Sequence, residues 1–247
     1  VLFNGIEYAS TKLPYSYLPV LFGIQLTEPV WALFIVGFFA AVVGRRPERV
    51  EGWTKKRELI ELTILWFIIP FIGFIILRSA LYDNFRQILF ILPPIFWMAG
   101  AAIEKVKRPA LQIVLIALVI LPGIVDGIRL HPYEYIYYNR FVGGVDGAQG
   151  RFELDYWGTS YREAAEYINE IAPANAVMWV EGPSHLFELY ARQDLKIFSD
   201  HEIERTDHYD YVIATTRYYL DQTSYPNAKI IYKITRGGAV LAVIKNP

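Results

Sequence analysis

The polar stretch with the most chemical content is Arg78-Ser-Ala-Leu-Tyr82-Asp83-Asn84-Phe-Arg86-Gln87, which lies between two long apolar runs. A guanidinium is planar, always charged, and carries its N–H donors in a fork that fits two oxygens of a phosphate at once. Arg86 opens an otherwise apolar run. At that depth it can hold the phosphate of a lipid carrier, with Tyr82 and Asp83 orienting neighbouring groups. The same residues fit a solvated turn whose cations sit at the level of lipid headgroups. Residue chemistry leaves both readings open.

Other chemistry is hard to find in the sequence. It contains no nucleophile elbow, no phosphate-binding P-loop and no His-Glu-x-x-His pair. It has no cysteine, which excludes disulfides and thiolate-held metals. The four histidines (His131, His185, His201 and His208) are scattered, and none is assigned to a metal. His185, beside Ser184 at a helix start, reads as a capping or surface residue. The glycine-rich tract 143–150 lacks the preceding strand of a dinucleotide fold and reads as a loop. No metal site or cofactor is expected.

The elements that must position the Arg86 loop follow from composition. Of 247 residues 54% are hydrophobic and 20% charged, against about 45–50% and about 25% in a soluble domain. Disordered and nucleic-acid-binding classes are thereby disfavoured. Residues 1–130 hold 13 Lys/Arg against 9 Asp/Glu, a net of +4, whereas 131–247 hold 11 against 16, a net of −5. The first part carries four apolar runs, 29–44, 59–77, 88–103 and 109–125, interrupted by Pro70, Pro93, Pro94 and Pro122. Each is close to the ~17–25 residues that cross a hydrocarbon core. They predict about four transmembrane helices, within which proline is tolerated.

Nine cations cluster at 44–58 and 104–109, whereas 1–28 and 78–87 carry only Lys12, Arg78 and Arg86. The positive-inside rule makes the former cytoplasmic. The first residue and everything after Asp126 are then extracytoplasmic, in an integral protein of the plasma membrane. Residues 13–28, apolar but punctuated by Pro14, Pro19 and Gly23, predict an interfacial or re-entrant segment. The chain begins without an initiator Met or a signal peptide, which suggests the C-terminal portion of a longer protein.

The remainder predicts a small extracytoplasmic α/β domain over 159–247, joined to the membrane helices at 29–130 by an irregular aromatic, glycine-rich linker, 131–158. Ser160 and Glu163 have capping-box spacing before Tyr161, Ala164, Ala165, Ile168 and Ile171. Strands are expected at 176–180 and 211–214, a helix at 183–191, and a hairpin at 230–234 and 240–244 around Gly237-Gly238.

The string Tyr82-Asp-Asn-Phe-Arg86-Gln-Ile-Leu-Phe-Ile-Leu-Pro-Pro94, continuing to Ala99-Gly100, resembles the Arg-Tyr/His-Leu-Leu-Pro stretch of polyprenyl-phosphate-dependent glycosyltransferases. These are the family-39-like, protein-mannosyltransferase and lipid-A-arabinosyl-type enzymes of the GT-C superfamily. Lys12-Leu-Pro14-Tyr-Ser-Tyr17-Leu-Pro19-Val resembles the outer Pro/Tyr-rich segment of the same family. His131-Pro-Tyr-Glu-Tyr and Glu153-Leu-Asp-Tyr-Trp-Gly158-Thr-Ser-Tyr-Arg-Glu-Ala are similar to sequences that follow its last span.

The resemblance implies transfer of a sugar from a polyprenyl-phosphate donor to a glycan, lipid or protein acceptor outside the cytoplasm. Arg86 matches a position near the donor phosphate, and Lys12 is a weaker companion. The family's catalytic carboxylate lies in a first outer loop that this chain does not include. Glu7, Glu28 and Asp83 match no such motif, so no catalytic residue is assigned here. Asp155-Tyr-Trp-Gly158 shares residue types with the Trp-Trp-Asp-Tyr-Gly signature of oligosaccharyltransferases in a different order; it reads as an aromatic packing segment. The alternative function is a non-enzymatic membrane-anchored module that binds glycan or protein, and a transporter half is weaker because no charge sits at mid-membrane.

Overall fold

A computed structural model of the chain describes residues 1–43, 53–199 and 208–247, and of 53–57 the backbone alone. The cations expected to be cytoplasmic at 45–57 and His201 therefore lie outside the described residues and side chains. Contacts divide the chain into two units. The helical unit comprises Val1, Tyr8–Ile128 and Tyr138–Gly143, and the sheet unit comprises Leu2–Glu7, Arg129–Tyr137 and Gly144–Pro247. Thus Tyr138–Gly143, from the expected linker, joins the helices, and Leu2–Glu7, from the expected outer segment, joins the sheet.

The helical unit contains α1 (Tyr17–Gln25), α2 (Glu28–Val43), α3 (Trp53–Leu77), α4 (Leu92–Glu104) and α5 (Pro109–Leu130). Among the described residues two stretches are long and apolar enough to cross a membrane: Glu58–Leu77, of 20 residues, and Pro109–Leu130, of 22. There are three if α1 and α2, which meet at a bend of 115°, form one broken span. This marks the chain as a membrane protein. The run at 88–103 divides, because Pro93 and Pro94 stand in the first turn of α4, where a missing N–H costs nothing. The residues before them make a 3₁₀ turn, Leu89–Ile91.

The segment 13–28 is less superficial than an interfacial helix would be. Tyr17, Leu18, Leu21, Phe22 and Ile24 of α1 are buried. Phe22 is 1% exposed, and its ring meets Trp31 of α2, Phe67 and Phe71 of α3, and Phe85, all edge-to-face at centroid distances of 4.9–6.4 Å. Gly37 lets α2 lie on the backbone of α4, since a methyl group there would overlap the Met98 carbonyl.

Breaking the chain between α1 and α2 leaves the last carbonyls of α1 without helical partners, and those that are buried must be bonded by other groups. One residue does most of this. Asn139 Nδ2 donates to Gly23 O at 2.7 Å and Leu26 O at 2.8 Å, and its backbone N–H donates to Ile24 O at 2.8 Å. Trp31 Nε1 takes Phe22 O at 2.7 Å.

In the sheet unit, β1 (Leu2–Phe3) and β2 (Ile6–Glu7) form a small hairpin. The larger sheet has the order β4-β3-β5-β7-β6, with β3 Val177–Val180, β4 Lys196–Phe198, β5 Tyr211–Thr215, β6 Lys229–Arg236 and β7 Ala239–Asn246. β4 and β5 run parallel to β3, whereas β7 is antiparallel to β5 and β6. The expected hairpin is present, with φ of +56° at Gly237 and +90° at Gly238, the double positive φ that a two-residue turn of this kind requires. The edge strand β4 is an addition to the sequence expectations.

α6 (Gly144–Ala148), α7 (Ser160–Ile171), α8 (Ser184–Glu188) and α9 (Leu220–Thr223) complete the unit. Three expectations need correcting. The glycine-rich tract expected to be a loop contains α6, with Gly143 and Gly144 at positive φ leading into it. The capping box is not formed: Thr159 is the N-cap and makes no side-chain cap bond. Ser160 Oγ donates to Asp155 instead, and Glu163 accepts from Tyr133 OH at 3.2 Å and Arg236 Nη2 at 2.7 Å. Ile171 is exposed at the end of α7, while Tyr161, Ala164, Ala165 and Ile168 are buried as expected.

Substituting Asn139 by Ala strands the buried Leu26 carbonyl and the part-buried Gly23 carbonyl, at about 1–3 kcal/mol for a buried group. Detergent-solubilised Asn139→Ala should lose about 2–4 kcal/mol of stability in reversible denaturation. A loss below that of an exposed Asn would show that the bend is supported otherwise.

Candidate functional site

α3 ends at Leu77, and Arg78 leaves it at φ +49°. The loop that follows turns back through Asp83 and Asn84, at φ +54° and +55°. Asn and Asp are the non-glycine residues that best tolerate this left-handed conformation. Arg86 N–H donates to Asp83 O at 3.2 Å, and Ile88 N–H to Phe85 O at 2.9 Å. Phe85 reaches the Phe22 ring at 4.9 Å, so the loop is fastened to the aromatic interior by the residue next to Arg86.

Within this turn Arg86 Nη1 donates to Asp83 Oδ2 at 3.0 Å. The carboxylate side chain is 7% exposed and the guanidinium side chain 56%. So exposed a pair adds little stability; its effect is to orient the guanidinium, leaving the other N–H donors of the fork for a ligand.

Two further donors stand close in sequence. Asn84 Oδ1 accepts from Tyr138 OH at 3.4 Å, and Gln87 Oε1 accepts from Tyr82 N–H at 3.4 Å. These bonds set which end of each amide is the oxygen. The remaining atoms, Asn84 Nδ2 and Gln87 Nε2, are buried and have no hydrogen-bond partner among the described residues. A buried donor without an acceptor costs about 1–3 kcal/mol, and such groups are rare enough to require a reason.

The structure therefore brings Tyr82, Asp83 and Arg86 into one turn. Tyr82 contributes its backbone N–H and an exposed ring. Lys12 is exposed and makes no hydrogen bond or ion pair to these three among the described residues, although its segment meets the loop: Leu81 N–H donates to Ser10 O at 3.3 Å, and the Arg78 guanidinium lies 4.3 Å from the Tyr15 ring centroid. Asn84 and Gln87 carry no sequence signal of their own; only the buried amide geometry separates them from ordinary turn residues.

The sheet unit holds a second polar concentration. Asp155 is 1% exposed and accepts from Tyr135 OH and Ser160 Oγ. Tyr135 and Tyr156 flank Trp157, which is 47% exposed, with ring centroids 4.9–5.4 Å from it. Burial pushes the Asp155 carboxyl up from 3.8 to about 6, against the lowering effect of its two hydroxyl donors. It likewise raises the Tyr135 phenol, with Asp155 adding to the rise. His131 pairs with Glu134 at 2.7 Å on the surface, and His185 is exposed. Among the described residues no group of three His, Asp or Glu can hold a metal ion.

Comparison with protein-family models, with curated proteins and with solved structures finds no match. Function must therefore be argued from the residues.

An acid whose folded-state pKa exceeds its unfolded value binds its proton more readily when folded. Stability is then lost as pH rises through the interval from about 4 to about 6, by at most about 3 kcal/mol. Denaturation of wild type and Asp155→Asn at several pH values isolates this contribution. The wild type should weaken relative to the variant by about 2–3 kcal/mol between pH 4 and 7; a pH-independent difference would contradict the raised value.

Proposed function

We propose that this chain is part of an integral-membrane glycosyltransferase and that its 78–87 loop holds the phosphate of a polyprenyl-phosphate sugar donor. The observation that carries this reading is the set of unsatisfied donors in one turn: the exposed part of the Arg86 guanidinium, Asn84 Nδ2 and Gln87 Nε2. A phosphate supplies several acceptor oxygens and a negative charge, which match a guanidinium fork and amide N–H groups. Tyr82 and Asp83 set the turn and the guanidinium orientation. Lys12, on the adjacent segment, adds positive potential at longer range.

In this reading the chain crosses the plasma membrane four times. The cation-rich stretches 44–58 and 104–109 are cytoplasmic, and the 78–87 loop and the sheet unit are extracytoplasmic. α4 is the least comfortable crossing. Its 13 residues rise ~20 Å, and the preceding 3₁₀ turn adds ~6 Å, which a slightly thinned bilayer accommodates. The acceptor, a glycan, lipid or protein, is approached from the outer side.

Transfer from a polyprenyl-phosphate sugar in proteoliposomes containing the full-length protein tests the assignment. Arg86→Ala should lower turnover by about a hundredfold, and Arg86→Lys should restore only part of it because the fork is lost. Because Arg86 is largely exposed, its removal should leave the unfolding transition in place. Unchanged turnover in Arg86→Ala would overturn the assignment.

A further inference from the structure

The sheet unit contains a cleft that the reading above does not use. Its cavity volume is about 50 Å³, and its wall includes Gln149, Glu153, Arg217, Tyr218, Asp221 and Gln222. It lies immediately beyond the C-terminal end of β5. β4 and β5 lie on opposite sides of β3, and in open sheets of parallel strands ligands are received outside the carboxyl ends of strands that diverge in this way.

Three features of the wall point to a ligand. Tyr218 and Tyr219 both stand at φ +55°, a conformation that bulky side chains avoid and that the surroundings must enforce. Tyr219 OH donates to Gly150 O at 3.4 Å, and Arg217 Nη1 to Tyr156 O at 2.7 Å. These two bonds clamp the strained pair from either side. Second, Asp221 Oδ1 is buried and has no hydrogen-bond partner among the described residues, though Lys245 lies within electrostatic reach. Third, the lining mixes carboxylate acceptors, amide groups and a guanidinium with the exposed Tyr218 ring, over which Arg217 sits at 5.0 Å.

We infer that this cleft binds the edge of a neutral saccharide. Sugar hydroxyls both donate and accept, so they need a wall with both functions, and the C–H face of a pyranose ring packs on an aromatic ring. A phosphate is poorly matched: the Arg217 guanidinium already faces Glu153 at 3.6 Å, and Lys245 is within electrostatic reach of Asp221, which leaves no unbalanced positive charge for an anion. Leu2, Phe152 and Leu154 also line the cleft, but an acyl chain would offer the carboxylates of Glu153 and Asp221 no hydrogen-bond donor. Asp221 Oδ1 accepts a sugar hydroxyl, Arg217 and the glutamine amides supply donors, and the left-handed Tyr218-Tyr219 step holds the ring at the mouth. The inference rests on the sheet unit alone and stands independently of the phosphate site.

The test uses the full chain in lipid nanodiscs on an array of neutral gluco-, manno- and N-acetylglucosamine oligosaccharides, with phosphocholine as a charged, phosphate-bearing probe. At least one oligosaccharide should bind saturably, and Asp221→Asn and Tyr218→Gly should each weaken it by about tenfold or more. Tyr218→Gly should at the same time unfold at the same or a higher temperature, because glycine accepts the positive φ. Absence of binding to every oligosaccharide, equal binding by both variants, or phosphocholine as the preferred probe would each overturn the inference.

Discussion

A helix that stops inside a packed unit must have its buried last carbonyls bonded by other groups, and the helical unit depends on how that is done at the α1–α2 bend. Asn139 and Trp31 between them bond Phe22 O, Gly23 O, Ile24 O and Leu26 O. With the bend supported, α1 can turn inward and bury Phe22 against α2, α3 and Phe85. Phe85 precedes Arg86, so the placement of the guanidinium traces back to a side chain more than fifty residues away. The turn of Asp83 and Asn84 then sets which donors remain unused.

Each of the two candidate sites holds a guanidinium beside a carboxylate, Arg86 with Asp83 and Arg217 with Glu153, and the differences between the two predict different ligands. Arg86 has a single carboxylate partner, is more than half exposed, and shares its turn with two amide donors that lack acceptors. That balance calls for an anion. Arg217 is largely buried, lies near Glu153, and shares its cleft with Asp221, one of whose oxygens lacks a donor. That balance calls for neutral hydroxyls. In both places the chain tolerates left-handed residues beside the unsatisfied atom, Asp83 and Asn84 in one, Tyr218 and Tyr219 in the other. The second pair is the more strained, because a tyrosine has no short side chain that bonds its own backbone.

Features carried by local pattern were legible in the sequence. The long apolar runs became α3 and α5, the Gly237-Gly238 signal became the β6–β7 hairpin, and the Tyr211 strand lies where its apolar run placed it. Features that depend on tertiary partners were not. Ser160 and Glu163 have capping spacing, but Asp155, Tyr133 and Arg236 offered those side chains stronger partners. Asn139 reads as one polar residue in an irregular segment until the α1 carbonyls come into view. The Arg86 turn was found from residue type, while Asn84 and Gln87 became visible only once burial was known. Arg217 and Asp221 carry no motif at all, and the nearest signal was the Arg-Tyr-Tyr step at the end of an apolar strand.

The central claim is that the 78–87 loop receives the phosphate of a membrane-borne carrier. Photo-crosslinking tests it most directly, using the full-length protein in bilayers and a polyprenyl phosphate with a photoreactive group next to the phosphate. Peptide mapping should place the label predominantly in 78–87, with excess inorganic phosphate or Arg86→Ala abolishing it. Label spread along the exposed apolar faces of α3 and α5, with 78–87 unmodified, would contradict the claim.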